Sequence, residues 1–454
     1  MLADNHKPWW LLAAMSGVLG LIVLDETIVS VALPSMAEDL ALSTSAAHWV
    51  VNAYLLSFTC AVAIAGRLGD HFSRRSYLSA GAVLFGLASV LAAVASDGAT
   101  LIAARALQGI AAALIFPTSI ALITAAFAPE KRGVAFGYQT TVGGIFMASG
   151  PLIGGLLTQT LSWRFIFWIG IPALIAIVVV LWLAWSPSYD REQRKTSDAP
   201  TRLDIAGPIL LVIALLGVVM SVMEGPGWGW MSPWTLGLLA AGFAMLFLFV
   251  RTEVTCPTPL LDLSLLKIPA FGGGVVIFAI FQFEKIVIFV FVAQYFQDVL
   301  GKSPVMSGVA VSLAILPTLA TSVLVGTSTD RFGSRYTFVR GAVLHGGAII
   351  LLALATLQQN YILTLLTLIL WGASMPSIAI PVRRGQMNAV PKDKQGQANG
   401  INMTIQMLGG SLGFAVCSAL LAETKSYLAV FLVVGVVTLL AVPIAHRSMD
   451  RPVS

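Results

Sequence analysis

Runs of roughly twenty residues with almost no charge recur from one end of this chain to the other, and they leave few folds open. Such a run, wound as a helix at 1.5 Å per residue, is about 30 Å long, the thickness of a bilayer's hydrocarbon core. The runs are apolar on every side. Strands of a membrane barrel are about half as long and alternate apolar with polar. A water-soluble reading fails on composition: 10% of residues are charged and 57% hydrophobic, whereas soluble domains carry about 25% charged residues. Mean hydropathy is +0.89. In lipid every backbone polar group must be satisfied within the protein, so the expected fold is an all-α membrane protein.

Fourteen runs qualify, over 10–33, 48–68, 77–96, 99–127, 134–158, 164–186, 204–224, 234–251, 268–298, 304–329, 336–357, 361–382, 397–421 and 427–446. The first carries acids near its end, as a retained helix does and a cleaved signal does not. Basic residues orient the set. With the N-terminus inside, most of the 26 Lys and Arg fall on the inner face. Arg164, Lys302 and Lys425 remain outside, and Arg105 and Lys285 lie within the membrane. Both termini are therefore expected in the cytoplasm, with the protein in a bacterial-type cytoplasmic membrane. The basic residues are spread over short loops, so the net charge of +5 does not point to nucleic acid.

Polar signatures repeat at an offset near 260 residues. Gly66-Arg-Leu-Gly-Asp70 is echoed by Gly326-Thr-Ser-Thr-Asp330, and Arg75 by Arg335; Gly150-Pro-Leu-Ile-Gly154 is echoed by Gly409-Gly-Ser-Leu-Gly413. The chain thus reads as a six-helix bundle (1–186), a linker with two inserted helices (187–267), and a second six-helix bundle (268–454). Two related halves about a central site are a common transporter plan.

Four motifs carry a family resemblance. Leu24-Asp25-Glu26-Thr27-Ile28-Val29-Ser30 through Pro34 sits in the first run. Gly66-Arg-Leu-Gly-Asp70-His-Phe-Ser-Arg74-Arg75 follows the second. Arg105-Ala-Leu-Gln108-Gly109 lies in the fourth, and Gly150-Pro151-Leu-Ile-Gly154-Gly155 in the fifth. Together they resemble the major facilitator superfamily, and within it the fourteen-helix drug:proton antiporter branch. Ser30, Ser73 and Phe146 stand where that branch usually has Asn, Gly and Gly. The resemblance implies proton coupling at Arg105. It implies a conformational latch at Gly66, Asp70, Arg74 and Arg75 with its echo at Asp330 and Arg335, and a helix-packing antiporter motif at Gly150, Pro151, Gly154 and Gly155.

Elementary physics supplies an independent reading of the same residues. Asp25 lies roughly 24 Å along its helix, where a carboxylate is costly in hydrocarbon and is expected to face a cavity, the alternative being a place at the outer interface. Glu26 points about 100° away, so the outer interface suits it better than it suits Asp25. Arg105 is either a coupling residue, half of a structural ion pair, or a snorkelling side chain. Glu284 reads as a second cavity acid or as the partner of Lys285. Glu224 suits an interface, and His345 suits a packed core. Glycines four apart let helices approach closely, so the Gly150 motif is also explained by packing alone.

No phosphate-binding loop, metal-ligand cluster or nucleophile motif occurs in the sequence, and Cys60, Cys256 and Cys417 read as free thiols. No enzyme activity, cofactor or metal is expected. The expected partners are membrane lipid, protons and small amphiphilic, often cationic, substrates of a monomeric exporter that works by alternating access. Asp25, Glu26, Glu284 and Arg105 are the candidate proton and substrate residues. The rival readings are an exporter of one metabolite, lipid or siderophore, a proton-symport importer, and a non-transporting receptor.

Overall fold

The computed structural model describes residues 6–186, 206–256, 261–391 and 394–449, without the side chains of Arg67, Asp70, His71, Pro129 and Gly396. The polar linker expected after the first bundle therefore lies outside the described residues, as do Arg191, Arg194, Lys195, Arg202 and Lys392. Fourteen helices are long and apolar enough to cross a membrane. They are α1 (Lys7–Asp39), α2 (Thr44–Gly66), α3 (Arg74–Ala93), α4 (Gly98–Ala126), α5 (Glu130–Thr160), α6 (Phe165–Ala184), α7 (Ala206–Trp228), α8 (Pro233–Thr255), α9 (Pro269–Val299), α10 (Pro304–Phe332), α11 (Ser334–Leu357), α12 (Tyr361–Ala389), α13 (Gln397–Thr424) and α14 (Tyr427–Ser448). No strand occurs among the described residues.

Local chemistry explains where the helices start and bend. Six even-numbered helices begin on side-chain caps, Ser43, Asp97, Ser232, Ser303, Asn360 and Ser426, whose oxygens accept from free N–H groups of the first turn. Several breaks fall at proline, which removes a backbone donor. Helix α10 divides at Leu316 before Pro317, and α12 at Met375 before Pro376. Helix α9 ends in a π-turn over Tyr295–Val299.

Helices α1 to α6 form one bundle and α9 to α14 the other. At the centre α1 meets α9, α2 meets α13, and α5 meets the Pro304–Ile315 part of α10. These central helices carry the main apolar cluster. Peripheral helices present Val83, Trp182 and Phe247 outward, as a lipid-facing surface requires. The inserted helices α7 and α8 form a hairpin. Its α7 lies on the seam between α2 and α13, where the Glu224 carboxylate accepts from Ser45 Oγ at 2.8 Å and Trp49 Nε1 at 2.6 Å. An even number of crossings puts both ends of the described chain on one face, called here the termini face.

The two halves are closed against each other only toward the opposite face. There, Asn52 Oδ1 accepts from Ser411 Oγ at 2.7 Å, Gln297 Nε2 donates to the Val31 carbonyl at 2.9 Å, and the Val305 amide donates to Gln159 Oε1 at 3.2 Å. His48 of α2 is wedged between Phe291 of α9 and Phe414 of α13. Toward the termini face the same helices are separate. Residues 130–145 of α5 are exposed or half-buried around nearly the whole helix, with Ala135 buried, and the Pro317–Phe332 segment packs against α11, α12 and the remainder of α10 in its own half. The conformation is open to the termini face.

Candidate functional site

Asp25 and Glu26 are adjacent on α1, so their side chains diverge by about 100°. The structure gives each a different base. Asp25, 7% exposed, faces its own bundle and meets Arg105 of α4, with Oδ2 2.5 Å from Nη1. Arg105 is more fully held than a single ion pair requires. Its Nη1 also donates to Gln108 Oε1 at 2.8 Å, its Nε donates to the Val50 carbonyl at 3.1 Å, and the guanidinium lies 4.5 Å from the Tyr54 ring centre. Gln108 in turn donates to Ser89 Oγ at 2.9 Å. The arginine, 1% exposed, is thus a buried ion-paired group and does not snorkel.

Glu26 faces the other bundle, not the outer interface. Its Oε2 lies 3.5 Å from the ammonium of Lys285 on α9. Among the described residues this is the one ion pair that joins the two bundles. Lys285 is therefore the partner of Glu26, not of Glu284. The reason is again the helical step: neighbours on α9 cannot face one another. Glu284 points into its own half, where Oε1 lies 3.0 Å from His345 Nε2 and Oε2 accepts from Trp371 Nε1 at 2.7 Å. His345 Nδ1 is 2.7 Å from Ser374 Oγ. The histidine is packed and satisfied, as its apolar surroundings suggest, but its partner is an acid. Glu284 stands 259 positions after Asp25, and Lys285 the same distance after Glu26. The repeat thus places an inward-facing acid on each half and a facing pair of opposite charges between them.

Of the latch residues, the Asp70 side chain lies outside those described. The contacts described for Arg74, Arg75, Asp330 and Arg335 lie within their own halves. Arg75 lies over the Trp182 ring at 4.0 Å, and Arg74 Nη1 reaches the Ala121 carbonyl at 3.5 Å. Asp330 pairs with Arg384 at 2.5 Å, and Arg335 contacts His446. Gly66 and Gly326 have open space where a side chain would be.

The Gly150 motif works on two faces of α5. A methyl group on Gly150 would strike Thr27 of α1, and one on Gly154 would sit 2.7 Å from the Ile28 carbonyl oxygen. These glycines fasten α5 to α1 within one bundle. Gly155 and Pro151 face the other bundle. A methyl on Gly155 would lie 2.9 Å from the Pro304 carbonyl carbon and 3.0 Å from Val305 Cα, and Gly308 of α10 packs against the Pro151 carbonyl. Phe146 fills the place left by Gly20 on α1.

Sequence reasoning missed three members of the central site. Tyr54, 1% exposed, has its ring under Arg105 and a hydroxyl without a hydrogen-bond partner. It shares a cavity of about 10 Å³ with Glu26 and Arg105, about the room one water needs. Asn52 and Ser411 join the halves. None of these carries a charge, so an apolar run gave no signal of them. No group of three or more His, Cys, Asp or Glu placed to hold a metal occurs among the described residues.

Comparisons with known proteins fit this geometry. A family profile described as Major Facilitator Superfamily matches residues 15–413 and 274–453. The puromycin resistance protein pur8 of Streptomyces alboniger is 34% identical over 94% of this chain and 84% of its own. The tetracenomycin C resistance and export protein of Streptomyces glaucescens is 31% identical over 92% of this chain and 76% of its own. Among solved structures, a D-xylose-proton symporter superposes with a TM-score of 0.68 at 16% identity, covering 98% of both chains, which is a likeness of fold alone.

Proposed function

The chain belongs to the Major Facilitator Superfamily, and from that premise we propose that it exports amphiphilic compounds in exchange for protons, its two bundles rocking about the charged groups between them. The observation that carries the reading is Asp25, buried at mid-helix against Arg105 where α1 also faces the other bundle through Glu26. The resistance and export functions named for the relatives support it. The excess of basic residues on the termini face supports a cytoplasmic position for that face in a bacterial inner membrane. The opening then faces the cytoplasm, as a carrier awaiting an outbound substrate must.

In the proposed cycle a substrate enters from the cytoplasm and the bundles rock to open the outer face. Asp25 then exchanges its bond to Arg105 for a proton, and the protonated carrier returns. A proton and a substrate that weaken each other's binding do so reciprocally. Each charge carried inward gains about 2.3 kcal/mol per 100 mV. Arg74, Arg75, Asp330 and Arg335 latch the cytoplasmic ends when they meet. The carrier works as a monomer.

The test uses inverted vesicles acidified inside. Adding puromycin or tetracenomycin C should drive protons out as substrate enters, and Asp25→Asn should abolish this flux. Proton movement with the opposite sign would identify a symporter. Undiminished flux in Asp25→Asn would move the coupling to Glu26 or Glu284. A carrier of one metabolite, lipid or siderophore would respond to one compound of a panel.

A further inference from the structure

The groups around Tyr54 form a site of balanced charge. Asp25 and Glu26 supply two carboxylates, Arg105 a guanidinium and Lys285 an ammonium. Glu284, also buried, has its own base in His345 and is turned away. Each carboxylate here already has a cation beside it. A lipophilic cation arriving from the open side meets no unpaired negative charge, and to reach Glu26 it must displace a tethered ammonium. Its hydration would be lost with nothing gained in return.

The unused hydrogen-bonding capacity points to a different ligand. An ammonium has three donors, and Lys285 directs one contact to Glu26, a long one at 3.5 Å. The Tyr54 hydroxyl is buried and unpartnered beside the same small cavity. Buried polar groups are normally satisfied, so one left over beside a cavity has capacity for a further partner. Tyr54, Glu26 and Arg105 line that cavity, and Lys285 of the other half reaches the same Glu26 carboxylate. Lys285 is 14% exposed and Glu26 9%, so the pair is not fully sealed within the protein.

We propose that the Asp25–Glu26–Arg105–Lys285 cluster around Tyr54 is a charge-balanced substrate site that selects neutral amphiphiles bearing a strong hydrogen-bond acceptor over lipophilic cations, with Lys285 as the specificity-determining residue. This rests on the export reading and narrows the often-cationic substrate class expected from the sequence. The acceptor oxygen takes a hydrogen bond from Lys285, while the apolar body stays in the opening.

The probes are triphenylphosphine oxide, neutral with a strong acceptor, and tetraphenylphosphonium, a cation of similar aromatic bulk. Binding of each to the detergent-solubilised full chain is measured by calorimetry. The wild type should bind the oxide at least tenfold more tightly than the cation. Lys285→Met leaves Glu26 unpaired, so the cation should gain at least tenfold and the oxide lose a similar factor. The double variant Glu26→Gln/Lys285→Met restores charge balance and should lose the gain for the cation, which separates selectivity from misfolding. A wild type that prefers the cation, or binds neither probe, overturns the proposal, as does an unchanged ratio in Lys285→Met. Proton-driven uptake of the cation by wild-type inverted vesicles would overturn it while leaving the export reading standing.

Discussion

Substituting Gly155 by alanine tests whether the contact between α5 and α10 holds the outer face shut. The added methyl would lie 2.9 Å from the Pro304 carbonyl carbon and 3.0 Å from Val305 Cα, with the Pro304 carbonyl oxygen nearer still. These are backbone atoms and cannot turn aside. Restoring ordinary contact requires the helices to part by about 0.5–1 Å, a gap that forfeits a quarter to a half of the dispersion across it. Overpacking of this kind costs about 1–3 kcal/mol. Alanine also improves helix propensity by about 1 kcal/mol, but α5 is helical in either conformation, so that gain cancels. The closed state should therefore lose a factor of roughly five to 150 against the state open at the opposite face. Spin labels at Leu161 and Lys302, in a background with all three cysteines replaced, report the separation by pulsed electron resonance. A new population at longer distance is expected. Alanine at Gly143, on the same helix, meets nothing within 4 Å and should not weaken closure. An unchanged distance distribution in Gly155→Ala, or an equal shift in Gly143→Ala, would refute the argument.

Two further outcomes follow from the same geometry. Arg105→Ala leaves Asp25 buried without its cation, which typically costs about 3–5 kcal/mol; thermal unfolding in detergent should show a large loss, partly recovered by adding Asp25→Asn. Asp262, in the segment leading into α9, is held below the ordinary carboxylate range first by the Ser264 hydroxyl and then by Lys394, 3.0 Å away. Because its folded pKa is depressed, its contribution is complete above the unfolded value near 3.8 and is lost as pH falls through the folded value. The pair is partly exposed, so the effect is under about 1 kcal/mol. The stability gap between wild type and Asp262→Asn should be present at pH 7 and shrink as the pH falls below 3.8 through the folded value.

The fold was largely legible because its determinants are local. Length and hydropathy mark a span without reference to any neighbour, so all fourteen helices could be placed from the chain alone. The two-residue step at Asp25 and Glu26, and again at Glu284 and Lys285, was equally visible as unusual charge in apolar runs. The sequence also located the glycines of α5, though not that Gly150 and Gly154 serve one bundle while Gly155 serves the seam.

Partner choice was not legible. Whether Lys285 meets Glu284 or Glu26 depends on the rotation of α9 and on which face of it the other bundle covers, both properties of packing between segments 259 residues apart. The same holds for His345, whose acid lies on another helix, and for Tyr54, which no charge distinguishes within its run. The sequence by itself determined how many helices are long and apolar enough to cross the membrane and which charges fall within them. Only the tertiary structure decided which charges neutralise one another and which face is shut, because depth is set along a single helix and pairing is set between helices.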